Sequence, residues 1–373
     1  MVPCAEENAD EEACGSSSLA QAAAPSQPAR SDPSTSGKAA TPPPRLQDIG
    51  QQLSQEGFSE KSVELLLGSW RQNTHKVYNS YIAKWQEYCS AVGLDFKGAP
   101  TVQDVANFLT HLHVKGLGYN SVNAARSAIS AYLSPQLGES IGSHPTICRL
   151  LKGIFEARPA LPRYSETWSV DTVLVYLDSL PPIELLDFKH LTYRTLMLLA
   201  LLTGQRCHAL HAITVNDLKF SDSKCVIVFN ALMKQSRPGM HLKPIELLPF
   251  SQNRKLCVVS HLKEYVKVTE DLRRNNKRLF LTLLKPYNSV SKDTIARWVK
   301  TVLGLAGIDT KKFGAHSTRS ASTSAAAQKG VSLATILRTA GWSRQNTFSK
   351  FYNKAVSNEE NFGQVLLDKF LKK

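Results

Sequence analysis

Apolar positions between residues 70 and 155 recur at helical spacing. Trp70, Val77, Tyr81, Trp85, Tyr88 and Val92 stand three, four or seven residues apart, which places them on one face of a helix that Gly93 ends. That period makes the aromatic stripe a packing surface rather than a base-stacking one. Thr101 with Asp104 three residues on has the form of a capping pair, ahead of Val105, Phe108, Leu109 and Leu112. Ser121 is placed to cap a helix carrying Val122, Ala125, Ile129 and Tyr132, and a shorter helix is expected from Thr146 to Phe155. Pro159 and Pro162 then mark a linker. Residues 46–162 therefore read as an all-α domain.

The pattern changes after the linker. Trp168 to Leu180 reads as a helix and Tyr193 to Leu202 as a buried one. Cys225–Phe229 and Pro244–Leu248 are rich in strand formers and flank Pro238-Gly239, which suits a hairpin. Helices are expected near 260–272, 292–306, 317–329, 332–341 and 358–371. Residues 163–373 are thus expected to be mostly α with a small antiparallel sheet, an α+β layout. Residues 1–45 are rich in Ala, Ser and Pro and end near Pro42-Pro43-Pro44. Such a segment buries too little apolar surface to offset its ordering entropy, so a disordered tail is expected.

Charge narrows the class of partner. The formal net charge of the 373-residue chain is +14. Residues 1–45 hold three basic and six acidic residues, which leaves +17 on the remainder. A body this basic suits a polyanion, nucleic acid first. Short polar and basic positions near expected helix starts, Thr74, Lys76, Asn120, Ser121, Asn123 and Arg126, suit phosphate contacts, although each alone is equally a solvated helix face. Seven scattered cysteines without a CxxC suggest reduced thiols in an intracellular protein. The strongest apolar run, Leu196 to Leu202, is too short to cross a bilayer, and the acidic start lacks a signal core. No compact carboxylate or His/Cys cluster suggests a metal, and no Asp-Asp pair suggests a polymerase.

The candidate chemistry is carried by six side chains in order: Arg206, Lys234, His316, Arg319, Trp342 and Tyr352. Singly each has an ordinary reading as a helix end, a turn, a cap or a core ring. Jointly they are what a tyrosine needs to cut a DNA strand and hold it as a phosphotyrosine, so that the bond can be remade without external energy. Two guanidiniums offer charged forks to the phosphate oxygens. An imidazole three residues before the second arginine can donate to phosphate or manage the tyrosine proton. A hairpin-turn lysine can protonate the leaving oxygen. Lys234 is the first choice there, with Lys243 and Arg237 as competitors in the same segment. Trp342 offers one N–H and an apolar wall. No cofactor and no small-molecule ligand are required.

Ala315-His316-Ser317-Thr318-Arg319-Ser320-Ala321-Ser322, Gly341-Trp342-Ser343 and Thr347-Phe348-Ser349-Lys350-Phe351-Tyr352 resemble the tyrosine recombinases of the phage-integrase superfamily. Lys285-Pro286, the run Val290 to Val299 and the Ser-Thr-Arg-Ser-Ala-Ser stretch resemble the branch found in DIRS-like and Ngaro-like retrotransposons. The resemblance covers about residues 60–373. It implies a helical core-binding domain and a catalytic domain that clamp duplex DNA, a homotetramer on DNA, and a terminal segment docked on a neighbour; the apolar face of Phe362, Val365, Leu366 and Phe370 suits that docking and suits packing on its own domain equally. Nuclear residence is expected from the substrate and the eukaryotic branch. By position, Arg206 matches the first arginine of the family, Lys234 the hairpin lysine, His316 and Arg319 the second box, Trp342 a place usually held by histidine, and Tyr352 the nucleophile. One departure is plain: Ala209 stands where the family often has Glu, with His208 and Asp217 the candidates to replace it. A DNA-binding derivative without catalysis is the alternative function, and an enzyme that only relaxes supercoils is a more distant one.

Overall fold

The computed structural model describes residues 44–96, 98–137, 140–159, 164–230, 243–343 and 345–356, with 233, 236, 238 and 241 between them. Most of the expected disordered tail, the expected helix 358–371, Arg237 and Lys234 lie outside the described residues. The chain separates into two compact units, Met1–Leu161 and Pro162–Lys373.

The first unit is helical throughout its described residues: α1 (Pro44–Gln55), α2 (Glu60–Gly68), α3 (Gln72–Val92), α4 (Val102–Val114), α5 (Tyr119–Leu137) and α6 (Pro145–Ala157). Helix α1 opens on Pro44, whose fixed φ suits a first helical turn, so Pro44 and Arg45 are helical rather than part of a disordered tail. The Thr101 and Asp104 pair closes a capping box at the start of α4, through N–H bonds of 2.8 and 3.2 Å. Gly93 stops α3 at φ 72°, a left-handed conformation that favours glycine. The buried stripe of α3 is Ile82, Trp85 and Cys89; of the six residues expected, Trp85 is in it, and Trp70, Tyr81 and Tyr88 pack half-buried against the same core. Trp70 lies ahead of the helix, and Val92 is 51 % exposed at its end. Helix α5 begins at Tyr119, two residues before the expected cap Ser121, which sits in its first turn. The expected core positions of α4 and α5 are all buried. Trp85 meets Phe108 edge-on at 5.1 Å, joining α3 to α4.

The second unit is built around a helix buried on almost every side. A two-residue strand, β1 (Glu166–Thr167), leads into α7 (Val170–Ser179), then α8 (Phe188–Thr203) and the short α9 (Cys207–Ala212). Helix α7 starts two residues later than the sequence suggests, because Trp168 belongs to the segment before it. Helix α8 carries Thr192, Thr195 and Thr203 in its buried faces. Each hydroxyl donates to the carbonyl four residues back, at 2.6 to 2.7 Å, so none of these three hydroxyls is stranded. The expected hairpin is present as β3 (Cys225–Ile227) and β4 (Ile245–Leu247), and β2 (Leu218–Phe220) adds a third antiparallel strand in the order β2-β3-β4. Cys225, Ile227, Ile245 and Leu247 face inward while Val226 and Glu246 alternate outward, the period of a one-sided sheet. Helices α10 (Val258–Thr269), α11 (Lys292–Leu305), α12 (Ser317–Gln328), α13 (Leu333–Ala340) and α14 (Gln345–Phe351) follow, and α9 and α14 were not expected. Strand β5 (Ala355–Val356) then pairs with β1 in parallel, which was also not expected. No helix of the described residues is long and apolar enough to cross a membrane.

Candidate active site

Three of the six predicted catalytic residues, His316, Arg319 and Trp342, converge on a fourth, Tyr352. The tyrosine follows the last turn of α14, its N–H donating to the Phe348 carbonyl at 2.9 Å, and it is 3 % exposed. His316 Nε2 lies 3.0 Å from the Tyr352 hydroxyl, with the two rings edge to face. The Trp342 ring is 4.5 Å from the tyrosine ring and tilted 41° to it. The Arg319 guanidinium carbon sits 4.1 Å from the Trp342 ring centre and 5.4 Å from that of Tyr352. His316 precedes the first residue of α12 and is exposed, whereas Arg319, one turn on, is 1 % exposed. The three-residue spacing thus brings both side chains to the tyrosine, one from the solvent side and one from within.

Arg319 is held by the backbone. Its Nη1 donates to the Gly204 carbonyl at 2.7 Å and its Nη2 to the Ala340 carbonyl at 2.8 Å. Gly204 caps α8 in a left-handed conformation, φ 57°, and an added Cβ would sit 3.4 Å from Thr323 Cγ2. The turn it makes carries Gln205 and Arg206. Gln205 Nε2 reaches the Thr339 carbonyl at 2.7 Å, tying this turn to α13. Arg206 is the residue ahead of α9 and half-buried, with its Nε and Nη1 shielded from solvent. Both predicted arginines therefore meet the α8–α9 turn, Arg206 by position and Arg319 by its hydrogen bond. Trp342 Nε1 is buried and has no acceptor among the described residues. An unmatched buried donor is costly, and a ligand oxygen beside it would satisfy it.

The other predictions fall differently. Lys234 lies outside the described residues, while Lys243 is exposed. Next to Lys234 in sequence, Met233 is buried against Ala209 and Ala212. Ala209 is 3 % exposed in that apolar cluster, so its surroundings favour a small apolar side chain over the carboxylate of the expected Glu. Asp217 is engaged elsewhere. Its carboxylate accepts the Thr214 N–H at 2.8 Å and the Asn230 amide at 2.7 Å, which caps the turn before β2. His208 is exposed on α9. In the first unit, Lys76 and Asn120 are exposed, and Thr74, Ser121, Asn123 and Arg126 are half-buried. Thr74 and Lys76 lie at the start of α3, and the other four at the start of α5.

Sequence reading missed the contacts that hold the tyrosine's main chain. Ser320 and Ser324 of α12 both donate to the Tyr352 carbonyl, at 3.2 and 2.6 Å. Lys354 Nζ donates to the Tyr164 carbonyl at 2.7 Å and lies 4.0 Å from the Tyr164 ring centre. Burial pushes the Lys354 ammonium below its usual pKa. Trp168 Nε1 donates to Ser317 Oγ at 2.9 Å inside the core, which anchors the start of α12. No local pattern in the sequence marks these contacts, since α12 mixes serine, threonine and alanine along its length.

Residues 183–359 match the phage integrase family. The chain is 26 % identical over 294 residues to an integrase/recombinase xerD homolog of Selenomonas ruminantium, covering 76 % of this chain and 82 % of that protein. Among solved structures it is similar to the XerH site-specific recombinase bound to palindromic difH substrate in a post-cleavage complex. The TM-score is 0.56 at 17 % identity, with 90 % of each chain covered. It is also similar to the Tn1549 transposon integrase in complex with transposon right end DNA. There the TM-score is 0.52 at 14 % identity, covering 88 % of this chain and 99 % of that one. The fold, mostly helical with a three-stranded antiparallel sheet, is that of the tyrosine recombinases.

Proposed function

We propose that this protein cuts and rejoins DNA strands at a specific site through a 3′-phosphotyrosine at Tyr352. The observation that carries the reading is the 3.0 Å approach of His316 Nε2 to the tyrosine hydroxyl beside the buried Arg319. An unprotonated Nε2 accepts the phenol hydrogen as Oη attacks phosphorus. The bond from phosphorus to the 5′ oxygen breaks, and that oxygen takes a proton from the hairpin lysine, Lys234 or its competitor Lys243. Attack by a 5′ hydroxyl on the phosphotyrosine runs the same steps backwards and releases Tyr352. The forked donors of Arg206 and Arg319 and the N–H of Trp342 receive the charge that builds on the nonbridging oxygens. The substrate is double-stranded DNA, which the +17 body favours, with phosphate contacts from Thr74, Lys76, Asn120, Ser121, Asn123 and Arg126. The working form is a homotetramer on DNA, and the setting is recombination or integration of a mobile element of the DIRS-like or Ngaro-like kind in a nucleus.

A nicked duplex built from the short inverted or split repeats flanking the gene tests this. Cleavage beside the nick loses the short fragment and strands the enzyme on the DNA. The wild type is expected to form a covalent adduct and Tyr352→Phe none, since no other group replaces the nucleophile. Equal trapping by both would reject Tyr352. The apolar surroundings of Ala209 favour the second reading, a DNA-binding derivative without catalysis. Salt-dependent binding with no adduct on any such duplex would select it.

A further inference from the structure

His316, the helical-φ cap of α12, and Ser320 and Ser324 within it stand at spacings of four, which places them on one face. All three contact the same residue. His316 meets the Tyr352 hydroxyl, while Ser320 and Ser324 donate to the Tyr352 carbonyl. Ser324 Oγ also accepts the Lys354 N–H at 3.0 Å, so one hydroxyl grips the chain on both sides of Asn353. These bonds are unusual for a helical hydroxyl, which ordinarily bonds its own helix one turn back. Thr323 in the same helix does so, donating to the Arg319 carbonyl at 2.8 Å. Ser320 and Ser324 instead reach across 32 and 28 residues, and both are almost wholly buried, at 2 % and 0 % exposed.

We infer that Ser324, assisted by Ser320, is a positioning residue that holds the main chain of Tyr352 in register with His316 and Arg319. The inference rests on the reading of Tyr352 as the nucleophile. The tyrosine leaves α14, a helix of seven residues. Just past it, the chain is caught a second time by Lys354 on Tyr164 and by the β5–β1 pairing. With the carbonyl fixed from α12, only the two side-chain torsions remain to aim Oη. The histidine and the arginine that serve it ride on that same helix. Its two halves of the reaction machinery, the attacking oxygen and its proton acceptor, thus move as one body.

The test uses the full chain and three variants, Ser324→Ala, Ser324→Thr and Ser320→Ala. Three quantities are read: amide hydrogen exchange at Lys354, the rate of adduct formation on the nicked duplex, and affinity for the intact duplex. Loss of one buried hydrogen bond is expected to speed exchange at Lys354 by about tenfold in Ser324→Ala. A shift of about 1 Å in a reacting atom is expected to slow its adduct formation by roughly 10²-fold. Duplex affinity should stay at the wild-type value. Ser324→Thr keeps the hydroxyl and should recover most of both losses, and Ser320→Ala should show a smaller loss of rate. The inference is overturned if Ser324→Ala traps DNA at the wild-type rate, if Lys354 exchange does not change, or if Ser324→Thr does no better than Ser324→Ala. Should Ser324→Ala fail to fold, Ser320→Ala decides: a slower adduct supports the inference and a wild-type rate ends it. A wild type that traps no duplex, while Lys354 exchange still depends on Ser324, removes the reading of Tyr352 as nucleophile and leaves the anchor standing.

Discussion

The two units bury different chemistry. Among the described residues of the first unit, the side chains that are fully buried are aliphatic, aromatic or thiol, with Trp85, Phe108, Ile129 and Tyr132 at the centre. The second unit buries Arg194, Arg273, Arg319, His261 and Asp217, together with a row of threonines and serines, within or beside its apolar core. An apolar core is satisfied by volume and shape, and tolerates many sequences. A polar interior must match every donor and acceptor, so it specifies positions far more narrowly. In the second unit each buried arginine is met by backbone carbonyls. Arg194 donates to the Pro181 carbonyl, Arg273 to the carbonyls of Arg278 and Leu279, and Arg319 to those of Gly204 and Ala340. The difference separates a packing scaffold with an apolar interior from a unit that sets charged and polar groups into its core.

The largest effect expected from that contrast is in the scaffold. Trp85 is wholly buried between Tyr88 and Phe108, with ring centres 6.0 and 5.1 Å away. Trp85→Ala is expected to cost about 3–5 kcal/mol, the usual range for removing a large aromatic from a core. Urea denaturation of the full chain measures the loss. Amide exchange in α8, which belongs to a separate core, should keep its wild-type protection. A loss below about 1 kcal/mol would mean that the site collapses around the gap, and the first unit would not be the close-packed scaffold described.

The polar interior of the second unit should answer to pH through a buried histidine. His261 is 0 % exposed, and burial pushes its pKa down from 6.5 to about 4. Its Nδ1 lies 2.9 Å from the Cys257 carbonyl, one turn back in α10. A histidine with a depressed native pKa is neutral in the fold and charges in the unfolded chain first. Its contribution to stability is therefore complete above pH 6.5 and is lost progressively as the pH falls toward about 4. The melting temperature of the wild type should fall across that window more steeply than that of His261→Gln, which cannot titrate. Parallel curves for the two proteins would show that His261 is not held neutral by the fold.

The same contrast explains what the sequence disclosed. The first unit was readable because an apolar core writes its period into the chain, as in Val105, Phe108, Leu109 and Leu112. Its errors were at ends, where Trp70 and Ser121 lie on the wrong side of a helix start and no period decides. In the second unit the grouping of His316, Arg319, Trp342 and Tyr352 was legible from residue types and order, and the structure brings these four together. Their supports were not legible. The β1–β5 pairing has two residues on each strand, too few to show alternation. The bonds of Ser320 and Ser324 to Tyr352 span about thirty positions, and nothing local distinguishes them from helix serines bonding their own turn. Arg319 looked like an open clamp, and its burial on two carbonyls followed only from the meeting of α8, α12 and α13.

The smallest effect is the sharpest test of where the scaffold does its work. Lys76 is exposed on the first turns of α3, away from the buried face of Ile82, Trp85 and Cys89. Removing an exposed side chain from such a helix should leave the thermal midpoint of Lys76→Ala at the wild-type value. Under the proposed function its ammonium neutralises one phosphate. Binding then releases one counterion fewer, and the slope of log affinity against log salt should fall by about 1. The loss should be the same for cognate and unrelated duplexes, because a phosphate contact carries no base identity. A slope unchanged by Lys76→Ala would take that residue off the DNA. A loss confined to one duplex sequence would make it a reader of bases, and the surface of the first unit would then carry specificity as well as charge.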